Sequence, residues 1–134
     1  MANTGAGTVS LTIGGTCTNY DAISLSITVP GNGNIVVSAQ VYALLDHTNG
    51  VEDRLGLIVS DSAGTCGTYP WWWFATIEAS EPTQGLTERS GTFMRVFPVT
   101  AGTYVFFVDG WMIAGATAND RFQTAAMVAV FYPS

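Results

Sequence analysis

Lysine is absent from this chain. Arginine occurs four times and histidine once, against ten acidic residues, for a formal net charge of −6. Nucleic-acid backbones are held by clustered Lys and Arg, so nucleic acid is not an expected partner. An anionic membrane surface is not one either. Charged residues of both signs make up only 10% of the 134 residues, where soluble domains usually carry about 25%. The surface must therefore be built from Thr, Ser, Asn, Gln and Gly. That composition suits extracellular, cell-surface and virion-surface β proteins. No apolar run reaches the length that spans a bilayer. The opening Met1-Ala-Asn-Thr-Gly-Ala-Gly7 lacks the basic and apolar stretches of a signal peptide. Residues 1–8 read as a linker or tail, and residues 9–134 as one domain.

Helical periodicity is missing as well, and alternation takes its place. Ser24-Leu-Ser-Ile-Thr-Val29 places Leu25, Ile27 and Val29 on one face and hydroxyls on the other. Further strands are expected over Val9–Ile13, Ile35–Leu45, Arg54–Ser60, Trp71–Glu78, Thr87–Phe97, Gly102–Ala114 and Arg121–Tyr132. Gly91 reads as a bulge within its strand. The runs Ile35–Leu45 and Gly102–Ala114 are apolar on both faces, which places them centrally in their sheets. Eight such strands joined by Gly-rich turns predict an all-β, two-sheet antiparallel sandwich of the jelly-roll type, with eight to ten strands.

A strand, a glycine turn, a long strand, a loop ending in Asp-Arg and a return strand occur twice. The first copy runs from Leu25 to Ser60 through Asp53-Arg54, the second from Phe93 to Tyr132 through Asp120-Arg121. This predicts two similar three-stranded units packed face to face, each Asp-Arg pair pinning its loop.

Cys17 and Cys66 lie in similar Thr/Gly-rich loops. One intrachain disulfide is preferred over two free thiols, and the spacing fits no zinc pattern. The loop Asp46-His-Thr-Asn-Gly-Val-Glu-Asp53 concentrates oxygen donors. Asp46, Asn49, Glu52 and Asp53 are candidates for a structural calcium, set against the plainer reading of a solvated acidic loop. No other cofactor is expected. Catalysis finds little support. His47 has no partner serine in a nucleophile motif, and no spacing selects a pair among Glu78, Glu81 and Glu88 for glycoside chemistry.

The run Trp71-Trp72-Trp73 points in two directions. Trp71 and Trp73 share one face of a strand, and Trp72 and Phe74 share the other. One pair can enter the core while the other meets a ligand or a second subunit. Trp71, Trp72, Trp73 and His47 are therefore the candidate ligand-binding residues, on a protein or a glycan. In the last strand, Phe122, Thr124, Ala126, Val128, Val130 and Tyr132 alternate with Ala125, Met127, Ala129 and Phe131. Two largely apolar faces exceed what a sandwich can bury, so self-association is expected. Tyr104, Phe106, Trp111, Met127 and Phe131 are the candidate interface residues, with loops 46–53 and 115–120 free to meet a ligand.

Gly102-Thr-Tyr104-Val-Phe106, preceded by Phe97-Pro-Val-Thr-Ala, resembles the Phe…Gly-x-Tyr-x-Phe signature of the globular heads of complement component one q and of the related tumour necrosis factor superfamily. The ending Met127-Val-Ala-Val-Phe-Tyr-Pro133 is similar to the apolar last strand of those heads. The resemblance implies a jelly roll that assembles as a homotrimer, often at the end of a collagen-like or fibrous stalk. It implies a binding or adhesion role and no enzyme activity. The alternative carried by the residues alone is a monomeric carbohydrate-binding module with Trp71 to Trp73 as its aromatic platform.

Overall fold

The computed structural model describes residues 2–7, 10–67 and 72–134. Among the described residues nine strands follow one another: β1 (Ala2–Gly7), β2 (Leu11–Thr12), β3 (Thr18–Val29), β4 (Gly33–His47), β5 (Asp53–Ser60), β6 (Trp73–Ile77), β7 (Gly85–Val99), β8 (Gly102–Ala114) and β9 (Arg121–Pro133). Sheet I has the order β1-β9-β4-β7, with β2 also on β9, and sheet II has the order β3-β8-β5-β6. Every pairing is antiparallel. The result is the jelly-roll sandwich that the alternation predicts. Among the described residues no helix is long and apolar enough to cross a membrane.

The two long apolar strands are central as expected. β4 lies between β9 and β7, and β8 lies between β3 and β5. From β4, Ile35, Val37, Ala39, Val41, Ala43 and Leu45 point into the core. They meet Leu25, Ile27 and Val29 of β3, Leu55, Leu57 and Val59 of β5, and Phe106 and Val108 of β8.

Four expectations need correction. Residues 1–8 are not simply a tail, because Ala2–Gly7 pairs with Ala125–Val130 of β9. The glycines that made it look like a linker have a packing role. A Cβ on Gly7 would lie 2.7 Å from the carbonyl oxygen of Ala22, so only glycine lets this edge strand come so close to the chain at Ala22. Val9, expected to begin the first strand, lies outside the described residues.

The two repeated units do not form separate layers either. The middle strand of the first, β4, pairs with the outer strands of the second, β7 and β9. The middle strand of the second, β8, pairs with the outer strands of the first, β3 and β5. The units interlock.

Gly91 is no bulge, since the β4–β7 register runs unbroken from Gly33↔Val99 to His47↔Gly85. Its missing side chain makes room for Trp73, because a Cβ there would stand 2.5 Å from the indole. Gly91→Val should force Trp73 off its stack with Phe93 (centroids 6.4 Å apart). Overpacking of this kind costs about 1–3 kcal/mol, readable as a lowered urea midpoint with an unchanged slope.

In sheet I the register shift lies instead between β4 and β9. Ala43 pairs with Phe122 and Tyr42 with Thr124, which leaves Gln123 as an extra residue. This bulge turns Phe122 inward, to the side of Ala125 and Met127. There it is fully buried and stacks on Tyr20 at 4.8 Å.

Candidate functional site

The outer face of sheet II carries a cluster of aromatic side chains. Gly56 of β5 pairs with Phe74 of β6 on one side and with Trp111 of β8 on the other. These three positions form one row, and the glycine leaves a gap between two rings. Trp72 lies over that gap, where a Cβ on Gly56 would come within 3.0 Å of its ring. Trp72 meets Trp111 edge to face at 4.1 Å and stacks on Phe74 at 6.1 Å. Its indole N–H donates to the Gly67 carbonyl at 2.8 Å, which fixes the ring. A bulge in β8, where Arg54 pairs with Ala114 and Leu55 with Met112, swings Ile113 towards the same place.

Arg54 completes the cluster. Its guanidinium lies over the Phe74 ring, 5.0 Å from the centroid. Its Nε–H is buried and has no acceptor. Arg54, Trp72, Phe74, Trp111 and Ile113 enclose a cleft of about 170 Å³. A second depression of about 250 Å³, lined by Gly15, Cys17 and Cys66, shares Trp111 as a wall. The Cys17–Cys66 disulfide, Cα–Cα 5.6 Å, lines this second depression.

The expected ligand residues thus part company. Trp72 is in the cleft, Trp73 packs inward against the core, and Trp71 lies outside the described residues. His47 is buried in the core-facing row of β4 and unavailable to a ligand. Its Nδ1 is bonded to the Asp53 carboxylate and its Nε2 faces the Glu81 carbonyl at 3.1 Å.

The proposed interface list also needs correction. Phe106, Met127 and Phe131 point into the core. Tyr104 is partly buried and closes the β7–β8 turn, its hydroxyl donating to the Thr100 carbonyl and accepting from the Thr100 N–H. Trp111 belongs to the cleft. Alternation had separated the two faces of each strand without saying which face was inside.

The calcium candidates do not converge. Asp53 turns inward to His47, while a carboxylate oxygen of Asp46 accepts from the Asn119 amide at 3.0 Å. Asn49 and Glu52 are exposed. Among the described residues no group of three or more His, Cys, Asp and Glu side chains is placed to hold a metal ion. Among the described residues Asp53 and Asp120 make no ion pair with the arginines that follow them, and Arg121 donates instead to the Asn119 carbonyl at 3.4 Å. Asp120 accepts from the N–H groups of Asp46 at 2.8 Å and Thr117 at 2.6 Å.

The outer face of sheet I is different in kind. Across β9, β4 and β7 it presents the rows Tyr132–Asn34–Pro98, Val130–Val36–Val96, Val128–Ser38–Met94, Ala126–Gln40–Thr92 and Thr124–Tyr42–Ser90. None of these fifteen side chains is charged. Tyr132, Met94 and Val128 are 56%, 48% and 41% exposed. The first charges, Glu88 and Arg121, flank Leu44 in the next row.

Three buried acid–base groups tie stability to pH in an unusual sense. Asp109 is fully buried beneath the loop that carries Cys66, with Oδ1 accepting from the Gly64 N–H at 3.2 Å and Oδ2 unpartnered. Burial pushes its carboxyl up to about 6, against the pull of that N–H. Burial also raises Asp120. The Asp53 hydrogen bond raises His47 above its ordinary value, with burial opposing and the Glu81 carbonyl assisting.

Each of these groups binds its proton more tightly folded than unfolded. Its contribution is therefore complete below the unfolded value and lost as pH rises through the folded one. For Asp109 that window runs from about 3.9, the unfolded value, to about 6. His47 acts above about 6.5. Urea unfolding from pH 4 to 8 at fixed protein concentration should show Asp109→Asn flattening the lower part of the decline and His47→Gln the upper part. Parallel curves for wild type and Asp109→Asn would remove Asp109 from the account.

No family model matches the chain. No curated protein matches it. Among solved structures, the C-terminal CBM6 of LamC, a marine laminarinase from Zobellia galactanivorans, aligns over 93% of this chain and 98% of its own at 16% identity, with a TM-score of 0.31.

Proposed function

We propose that this chain is a non-enzymatic head that assembles with itself through the outer face of sheet I, as a homotrimer, and serves as a binding or adhesion module of a larger surface, collagen-like or fibre protein. The observation that carries the reading is the absence of charge across that face. A chain of net charge −6 repels its own copies wherever carboxylates meet. Copies approach at least cost where there are none. Nine residues of strand by three strands cover about 300–400 Å² in projection. Side-chain relief and the neighbouring β1 bring this towards the roughly 800 Å² per partner of a standard interface. Exposed Val, Met and Tyr side chains are of the kind an interface core takes up.

The number three comes from the resemblance of the Gly102–Phe106 strand to the complement and tumour necrosis factor heads. An extracellular, cell-surface or virion-surface setting agrees with the Cys17–Cys66 disulfide, a bond that oxidising compartments preserve. The acidic balance disfavours nucleic acid and membrane surfaces as partners. Light scattering at dilute concentration, with EDTA present, tests the reading. A stable mass near 43 kDa, three times the 14.2 kDa chain, is expected. A mass of one chain would sink it.

A second reading, a monomeric carbohydrate-binding module, is favoured by the aromatic cleft around Gly56. Quenching of tryptophan emission by oligosaccharides, at a mass of one chain, would prefer it.

A further inference from the structure

We infer that the cleft between Arg54, Trp72, Phe74, Trp111 and Ile113 binds an acidic oligosaccharide, with one hexuronate ring against the aromatic walls and its carboxylate accepting from the Arg54 guanidinium. The inference deepens the glycan reading and rests on it. It is independent of the number of subunits, because the cleft opens on sheet II and the uncharged face belongs to sheet I.

Three observations select this ligand chemistry. The first is the orphaned donor. A buried N–H without an acceptor is costly, and the Arg54 Nε–H is one of few such atoms among the described residues. A small shift of the side chain towards the cleft would let an incoming oxygen satisfy it. The second is charge. Among the described residues Arg54 makes no ion pair, and the adjacent Asp53 is turned inward to His47. In a chain this acidic, an unneutralised guanidinium in a cleft favours an anion, and a carboxylate matches its fork of donors.

The third is shape. The cleft, at about 170 Å³, falls below the roughly 300–1,000 Å³ of pockets that engulf a whole small ligand. It suits a single ring, flat enough to lie against Trp72, Phe74 and Trp111. The second depression across Trp111 gives the next ring of a chain a place to continue. A polymer of acidic rings satisfies all three, whereas an isolated small anion would leave the aromatic walls and the second depression unused.

The test uses the full chain, with tetragalacturonate and its methyl ester as probes. The ester keeps the rings and removes the charge. Tetragalacturonate should quench tryptophan emission saturably. The ester should bind at least tenfold more weakly, and Arg54→Gln should weaken the acid by a similar factor while leaving the melting temperature and mass unchanged. Should Arg54→Gln fail to fold, the acid-to-ester ratio on the wild type decides alone.

Equal binding of acid and ester would overturn the carboxylate assignment and leave a neutral-glycan site standing. Binding of neither would remove both the inference and the glycan reading. Displacement of the acid by a hexapeptide with a free C-terminus, at equal concentration, would make the cleft a peptide-carboxylate site and overturn the saccharide assignment.

Discussion

Val128→Glu should convert the assembly into single chains of 14.2 kDa. Val128 sits on the outer face of β9, level with Ser38 and Met94, and is 41% exposed. In a lone chain a carboxylate there points into water and should alter stability by no more than about 0.5 kcal/mol. In the assembly each copy brings the same carboxylate into a contact without counter-charges. A buried charge lacking its partner costs about 3–5 kcal/mol, and the cost recurs in every copy. Val105 supplies the control. It is 40% exposed on the outer face of sheet II, so Val105→Glu should leave the mass unchanged. A 43 kDa mass retained by Val128→Glu, or lost in Val105→Glu, would move the interface to another face.

Removal of the disulfide should produce the largest loss of stability. The Cys17–Cys66 bond spans 49 positions. Closing a loop of about 50 residues withdraws about 4 kcal/mol of chain entropy from the unfolded state. With an unfolding entropy near 2.1 cal/mol/K per residue, Cys17→Ala with Cys66→Ala should lower the melting temperature by about 10–15 °C at fixed concentration. The loop from Ser60 to Cys66 keeps other ties in the variant. Ser60 and Ser62 bond each other, and Asp109 holds the Gly64 N–H. If these close the loop unaided, the measured drop will be only a few degrees. Calorimetric scans of the oxidised protein and the double variant decide between the two.

Most of the fold could be read from alternation, because burial imposes period two on each strand. The hydroxyl and aliphatic faces of β3 and the two-faced apolar character of β4 and β8 follow from it, while the glycine-rich β1 does not. What escaped were single-residue departures and cross-strand neighbours. The extra Gln123 in β9 moved Phe122 to the core face. Gly91 looked like a bulge because a glycine in a strand usually marks one, and only the position of Trp73 reveals the packing reason.

The cleft was half legible. Alternation separates Trp72 from Trp73. Yet nothing in the spacing brings Trp111, 39 positions later, beside Trp72. That neighbourhood depends on β5 lying between β6 and β8 with a glycine at the crossing row. The Asp-Arg repeat predicts Arg54 as half of a loop-pinning pair. The inward turn of Asp53 towards His47 is what leaves the guanidinium unmatched.

The interlocked pairing of the two halves also bears on how the chain reaches this state. β4 emerges early in synthesis, yet both its ladder partners, β7 and β9, belong to the last 50 residues. Its inward row, Ile35, Val37, Val41 and Leu45 among it, must wait, unpaired, through the appearance of β5 and β6. Such delayed, distant pairing places folding in the millisecond-to-second regime rather than the microsecond one. It also exposes sticky strand edges in the meantime. The scarcity of charge, harmless once the sandwich is closed, gives the nascent chain few gatekeepers. Cleavage of the connection between β5 and β7 would leave two fragments, each holding a central strand whose partners sit on the other, able to rejoin as a pair and unable to close alone.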